Sequence, residues 1–141
     1  KLLKIFAEGL KNLNLKFAWI VNSEDGLDEI SISAKTMGYE IRGAEIQPFC
    51  CEPEQFGFER VDRSLVTTNS LSESISLVRK ILSGQEVGPA RNMVMMSSGV
   101  SLYLCGLSDS LENGVKEADR LIRSGKAQEV LGKLIDYTST E

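Results

Sequence analysis

Phe17-Ala18-Trp19-Ile20-Val21, followed at once by Asn22-Ser23-Glu24-Asp25-Gly26-Leu27-Asp28-Glu29, is the stretch on which the reading of the chain turns. An unbroken apolar run of this length suits a strand covered on both faces, as the strands of a parallel sheet are. The polar segment behind it holds a glycine and four carboxylates in eight positions. Loops outside the carboxyl ends of buried strands form the ligand crevice of open α/β sheets, so residues 25–29 are the first candidate site. Adjacent carboxylates suit a hard cation, and magnesium is commonly held by one or two carboxylates plus substrate phosphates. On spacing alone, an acidic surface loop accounts for the same residues more simply.

Upstream, Leu2, Leu3, Phe6 and Leu10 recur at helical spacing with Lys1, Lys4, Glu8 and Lys11 on the remaining faces. This predicts a surface helix over residues 1 to 12, ended by Asn12 and Asn14. Downstream, Ile30-Ser31-Ile32-Ser33 and Met37-Gly38-Tyr39-Glu40-Ile41 alternate apolar and polar, the pattern of half-exposed antiparallel strands that form a ribbon of their own. Arg42-Gly43 before Ala44-Glu45-Ile46 marks a hairpin turn. Residues 50–69 carry the weakest pattern and read as a loop with a single helical turn.

From Ser70 the chain becomes helical. Leu71, Ile75, Val78 and Leu82 make one stripe closed by Ser83-Gly84, and Gly88-Pro89 opens a second helix over 89–105 that is apolar on nearly all sides. Within it Met93, Met95 and Met96 read as core, as does Trp19 on the first strand, and Arg91 takes a structural role. Asp109 and Glu112 have capping-box spacing ahead of Leu111, Val115, Ala118 and Ile122, with Gly125 as the stop. A last short helix carries Ala127, Val130, Leu131, Leu134 and Ile135. The expected architecture is α/β with a helical C-terminal half, residues 1–141 forming a single unit.

Composition narrows the function. The 141 residues are 42% hydrophobic and 26% charged, with a net charge of −4, which disfavours generic binding to nucleic acid or anionic lipid. There is no histidine, which removes Ser-His-Asp and Cys-His catalysis and every His-containing zinc site. Ser97, Ser98 and Ser101 therefore lack a base. Cys50, Cys51 and Cys105 read as reduced cytosolic thiols, a vicinal disulfide between neighbours being strained. No apolar run approaches the roughly 20 residues that span a bilayer. The chain opens in mid-helix without methionine, which reads as a fragment or a processed product of a cytoplasmic protein.

Several motifs resemble one family in order. Asp25-Gly26-Leu27-Asp28-Glu29-Ile30-Ser31 after an apolar strand looks like the second metal-site motif of the anthranilate phosphoribosyltransferase family, within the nucleoside-phosphorylase and phosphoribosyltransferase fold. Pro53-Glu54-Gln55-Phe56-Gly57 is similar to the family's Pro-Glu-Asp-Phe-Gly turn. Leu82-Ser83-Gly84-Gln85-Glu86 with Gly88-Pro89-Ala90-Arg91 is similar to its next segment, and Leu102-Tyr103, residues 109–115 and Ser124-Gly125-Lys126-Ala127 continue the likeness.

The resemblance implies the C-terminal part of a helix-flanked mixed sheet. It also implies magnesium-dependent transfer of a phosphoribosyl group from phosphoribosyl pyrophosphate to anthranilate, in tryptophan biosynthesis. Asp28 and Glu29 carry over as the metal pair that engages the substrate diphosphate. The family's glycine-rich phosphate loop and acceptor-contacting residues match nothing here, so no catalytic residue is assigned within this stretch. Asn22 stands where the family usually has histidine, and Asn92 and Ser97 replace an aspartate and an asparagine. A non-catalytic paralogue and a phosphoribosyltransferase with another acceptor are the alternatives. The intact enzyme is expected to be a homodimer without nucleic-acid or membrane partners, and the 141-residue chain alone to be inactive and to self-associate.

Overall fold

The computed structural model describes residues 2–13 and 15–139. Lys1 on the first helix and Asn14 at its end lie outside the described residues. Helix α1 (Leu2–Asn12) leads to strand β1 (Phe17–Ser23), then β2 (Thr36–Arg42) and β3 (Glu45–Cys51). Helices α2 (Leu71–Leu82), α3 (Pro89–Leu104), α4 (Leu111–Arg123) and α5 (Lys126–Thr138) complete the described order. The architecture is thus α/β with a helical second half.

The strands form one sheet, ordered β1-β2-β3 and antiparallel throughout. This corrects two expectations. β1 has no parallel neighbour among the described residues: it is an edge strand, in register with β2 from Phe17↔Arg42 to Ser23↔Thr36. Nor do residues 30–49 form a separate ribbon, because β2 is the middle strand. The apolar run of β1 has another cause. Alternate side chains point to opposite faces, and each face meets a helical layer. Trp19 and Val21 pack on the main core with α3 and α4, while α1 lies against the sheet. The cover is partial, Phe17 being exposed and Ala18 to Val21 half-buried, so the apolar run reports neither full burial on both faces nor strand direction.

Residues 30–33 are not a strand. Ile30, Ser31 and Ile32 are all buried, so their alternation reflects an inward-folded loop in which a polar residue is buried along with its neighbours. The hairpin forms as expected, with Arg42 paired to Glu45 around Gly43-Ala44 and Gly43 at φ +57°, a conformation that favours glycine. Within the sheet, the Phe49 ring lies over Gly38 and packs against Trp19 with centroids 4.2 Å apart.

The stretch 50–69 departs from expectation at its start and in its number of turns. β3 runs on to Cys51, and two 3-10 turns follow, at Pro53–Phe56 and Arg63–Leu65. Helix α2 is capped by Ser70, as expected, whose hydroxyl accepts from the Glu73 amide. The N-cap of α4 is Ser110, accepting from the Asn113 amide at 3.2 Å, and not Asp109. The Asp109 carboxylate instead accepts from Asn113 Nδ2, and Glu112 pairs with Lys116. Two good capping residues stood side by side, and the second took the helix.

Met95, Met96 and Val100 of α3 interlock with Val115, Ala118 and Ile122 of α4, with Ile32, Phe56 and Ile81 closing the core. The helices cross through Gly99 and Gly114, where backbone meets backbone. Arg91, buried on α3, has a structural role, as an ion pair with Asp119 of α4 that the sequence did not reveal. The Gly88 amide at the start of α3 donates to the Glu86 carboxylate at 2.7 Å, so this helix terminus already has its anion. Cys51 is buried and Cys50 exposed, and both are free thiols.

Candidate metal-binding loop

The acidic loop joins β1 to the buried segment 30–32. Its first turn is set by Asp25, whose Oδ1 accepts from the Leu27 amide at 3.2 Å, the side-chain-to-backbone bond of an Asx turn. Gly26 sits at φ +87°, which admits glycine and strains other residues. Backbone bonds close the turn: the Ser23 amide donates to the Leu27 carbonyl at 2.8 Å, and the Gly26 amide to the Ser23 carbonyl at 3.0 Å. Asn22 Nδ2 also donates to the Leu27 carbonyl, a local bond that gives this residue a structural place.

A buried hydroxyl network lies beneath the loop. Ser23 Oγ donates to the Glu29 carbonyl at 2.6 Å and lies 2.7 Å from Thr36 Oγ1. Serine has one hydroxyl proton. That proton is committed to Glu29, so Thr36 is the donor and Ser23 the acceptor between them. Thr36 Oγ1 in turn accepts the Ser31 amide at 3.0 Å. Ser31 Oγ donates to Asp25 Oδ2 at 2.6 Å and accepts the Ser33 amide at 2.9 Å. From outside, Arg63 Nη1 donates to the Asp25 carbonyl at 2.6 Å across 38 residues of chain.

Asp28 and Glu29 are neighbours in sequence on this pinned loop, and both are exposed. Neither carboxylate has a salt bridge or side-chain hydrogen bond among the described residues. Asp25, which shares the motif, is spent on the loop itself. Among the described residues no cluster of three or more His, Cys, Asp or Glu side chains gathers as a cage. Two adjacent, exposed carboxylates without partners among the described residues offer hard oxygen donors of the kind that would suit magnesium, its other positions being filled by phosphates and water.

Sequence reasoning singled out the pair and missed its support. The Asp-Gly-Leu order was a legible Asx-turn signal for Asp25. Thr36 and Ser23 gave none, because hydroxyls at a strand start and a strand end show their pairing only once the register is known. Arg63 is equally silent, its contact being made across the fold.

Comparison with known proteins points to one family. A family model described as glycosyl transferase family, a/b domain, matches residues 1–128. The anthranilate phosphoribosyltransferase of Methanobrevibacter smithii is 40% identical over 139 residues, 99% of this chain and 41% of the relative. That of Desulfosudis oleivorans is 37% identical over 140 residues, again 99% and 41%. The chain thus spans about two fifths of the length of the curated relatives it matches. Among solved structures, the Thermus thermophilus anthranilate phosphoribosyltransferase superposes with a TM-score of 0.84 at 27% identity, over 96% of this chain and 39% of that one. The Saccharomyces cerevisiae enzyme in complex with PRPP and Mg gives 0.78 at 28% identity, over 87% and 35%. With the family model matched over nearly the whole sequence, the chain belongs to the glycosyl transferase family, in its a/b domain.

Proposed function

We propose that the protein carrying this chain transfers the phosphoribosyl group of phosphoribosyl pyrophosphate to the amine of anthranilate, in tryptophan biosynthesis, and that Asp28 and Glu29 hold the magnesium the reaction uses. The relatives named for this activity support the reading, as does a solved relative in complex with PRPP and Mg. The observation that carries it within this chain is the carboxylate pair itself. Both residues are exposed and without a basic partner among the described residues, which leaves their oxygens free for a hard cation.

Magnesium, when bound, neutralises charge on the diphosphate as it leaves the ribose. The chain's own residues supply position. Ser23, Thr36 and Asp25 fix the loop backbone before substrate arrives, so little ordering is left for the binding step. In the transfer the acceptor nitrogen bonds to the anomeric carbon as the bond to diphosphate breaks, and the proton lost by the amine passes to solvent or to the released diphosphate. The exposed apolar residues Leu2, Ile5 and Phe6 of α1 fit burial against the rest of a homodimeric cytoplasmic enzyme. Among the described residues no helix is long and apolar enough to cross a membrane.

The test is Asp28→Ala with Glu29→Ala in the full-length protein. Turnover is expected to fall with a higher magnesium requirement and a higher KM for phosphoribosyl pyrophosphate, while the circular dichroism spectrum stays the same. Unchanged dependence on both would overturn the assignment.

A further inference from the structure

We infer that Thr36 is a positioning residue for the metal pair, acting on Glu29 through two hydrogen bonds that hold the peptide groups on either side of Ile30. The inference rests on the proposed role of Asp28 and Glu29 and deepens it. Thr36 is fully buried at the first position of β2, the middle strand of the sheet and so its least movable part. Its hydroxyl proton goes to Ser23 Oγ, whose own proton goes to the Glu29 carbonyl. Its lone pair receives the Ser31 amide. One hydroxyl therefore fixes the carbonyl of Glu29 and the amide two residues later. Ile30, between them, is buried and anchors the same turn from its apolar side.

The direction of these bonds matters. Ser23 needs an incoming donor to complete its own bonding while it donates to Glu29, and Thr36 supplies the donor within hydrogen-bond reach among the described residues. Without the hydroxyl, the Ser31 amide and the Ser23 oxygen are both left short of a partner in a buried setting, and the turn must shift to find water. Glu29 is carried along, since its side chain leaves from the very peptide that moves. Groups that orient a metal's ligands change its affinity on removal by roughly 10–100-fold.

Thr36→Val keeps the shape and removes the hydroxyl, and Thr36→Ser keeps the hydroxyl and removes the methyl. Manganese serves as the paramagnetic probe. Its binding to the full-length protein in the presence of phosphoribosyl pyrophosphate is titrated by electron paramagnetic resonance, with hydrogen exchange of residues 24–33 measured alongside. The expected result is an affinity about 10-fold or more weaker in Thr36→Val, faster exchange in that loop, and near-native values in Thr36→Ser. In turnover, the KM for phosphoribosyl pyrophosphate should rise while the KM for anthranilate holds.

A role confined to stability would instead lower the melting temperature and the active fraction and leave the affinity of the folded protein unchanged. That outcome overturns the inference. So does equal loss in Thr36→Ser, which would trace the effect to packing of the methyl. Wild-type protein that binds no manganese with phosphoribosyl pyrophosphate present would overturn the parent assignment of Asp28 and Glu29, and this inference with it. The wild-type titration therefore separates failure of the parent reading from failure of this one.

Discussion

Gly114→Ala probes the crossing of α3 and α4 on which the core depends. A Cβ built at Gly114 would lie 2.3 Å from the Gly99 carbonyl oxygen and 3.0 Å from its carbon. Both atoms are backbone in a helix interior, so no side chain can swing aside. Restoring an ordinary contact requires the helices to part by about 1 Å, and a gap of that size forfeits a quarter to a half of each contact across it. The losses fall on Met95, Met96, Val100, Val115, Ala118 and Ile122, which meet at this crossing. Overpacking costs about 1–3 kcal/mol, and the lost contacts add to it. The better helix propensity of alanine returns at most about 1 kcal/mol. We expect a net loss of about 2–3 kcal/mol, read by urea unfolding of the full-length protein. Gly132→Ala in α5, where a Cβ meets nothing within 4 Å, is the control and should be neutral or slightly stabilising. If Gly114→Ala matched that control, the close packing of α3 on α4 described above would be wrong.

Further outcomes follow from the ionisable groups. Burial pushes the Cys51 thiol up to about 11, from an ordinary value of 9.0. Exposed Cys50 and Cys105 should therefore react with iodoacetamide at pH 8 while Cys51 is spared, as peptide mass mapping would reveal. The folded state keeps the Cys51 proton where the unfolded chain loses it, so its contribution to stability is complete below about pH 9 and is lost as pH rises through 11. At Asp119 burial acts to raise the carboxyl, but hydrogen bonds from Arg91 and Arg123 outweigh it and hold the group below its ordinary value of 3.8. Its contribution is present above that value and is lost as pH falls through the depressed one, so acid unfolding should begin at higher pH in Asp119→Asn. The same variant leaves Arg91 buried without its carboxylate, and denaturant unfolding should register a loss of about 2 kcal/mol or more.

The sequence carried the helices of the second half well, because their stripes, caps and stops are local signals: Ser70, Gly88-Pro89 and Gly125 each stand within a turn of the boundary they mark. It misled on β1. An edge strand half-buried between α1 and the core carries the same apolar run as a central parallel strand, so Phe17–Val21 revealed neither its partner nor its partial exposure. Ile30-Ser31-Ile32-Ser33 misled for the opposite reason: Ser31 is polar yet buried, satisfied by Thr36 and Asp25 across the turn, and alternation then no longer reports exposure. The site divided in the same way. Asp28 and Glu29 were visible because they are adjacent and follow an apolar run. Ser23, Thr36 and Arg63 were not, since their contacts exist only after the chain has folded back on itself.

The central claim is that Asp28 and Glu29 hold the metal that engages the substrate diphosphate. Crystals of the full-length protein grown with manganese and phosphoribosyl pyrophosphate, and measured for anomalous scattering, test it most directly. The account predicts an anomalous peak in contact with carboxylate oxygens of Asp28 and Glu29 and with diphosphate oxygens of the substrate. Bound substrate with its manganese ligated elsewhere, and both carboxylates facing solvent, would contradict it.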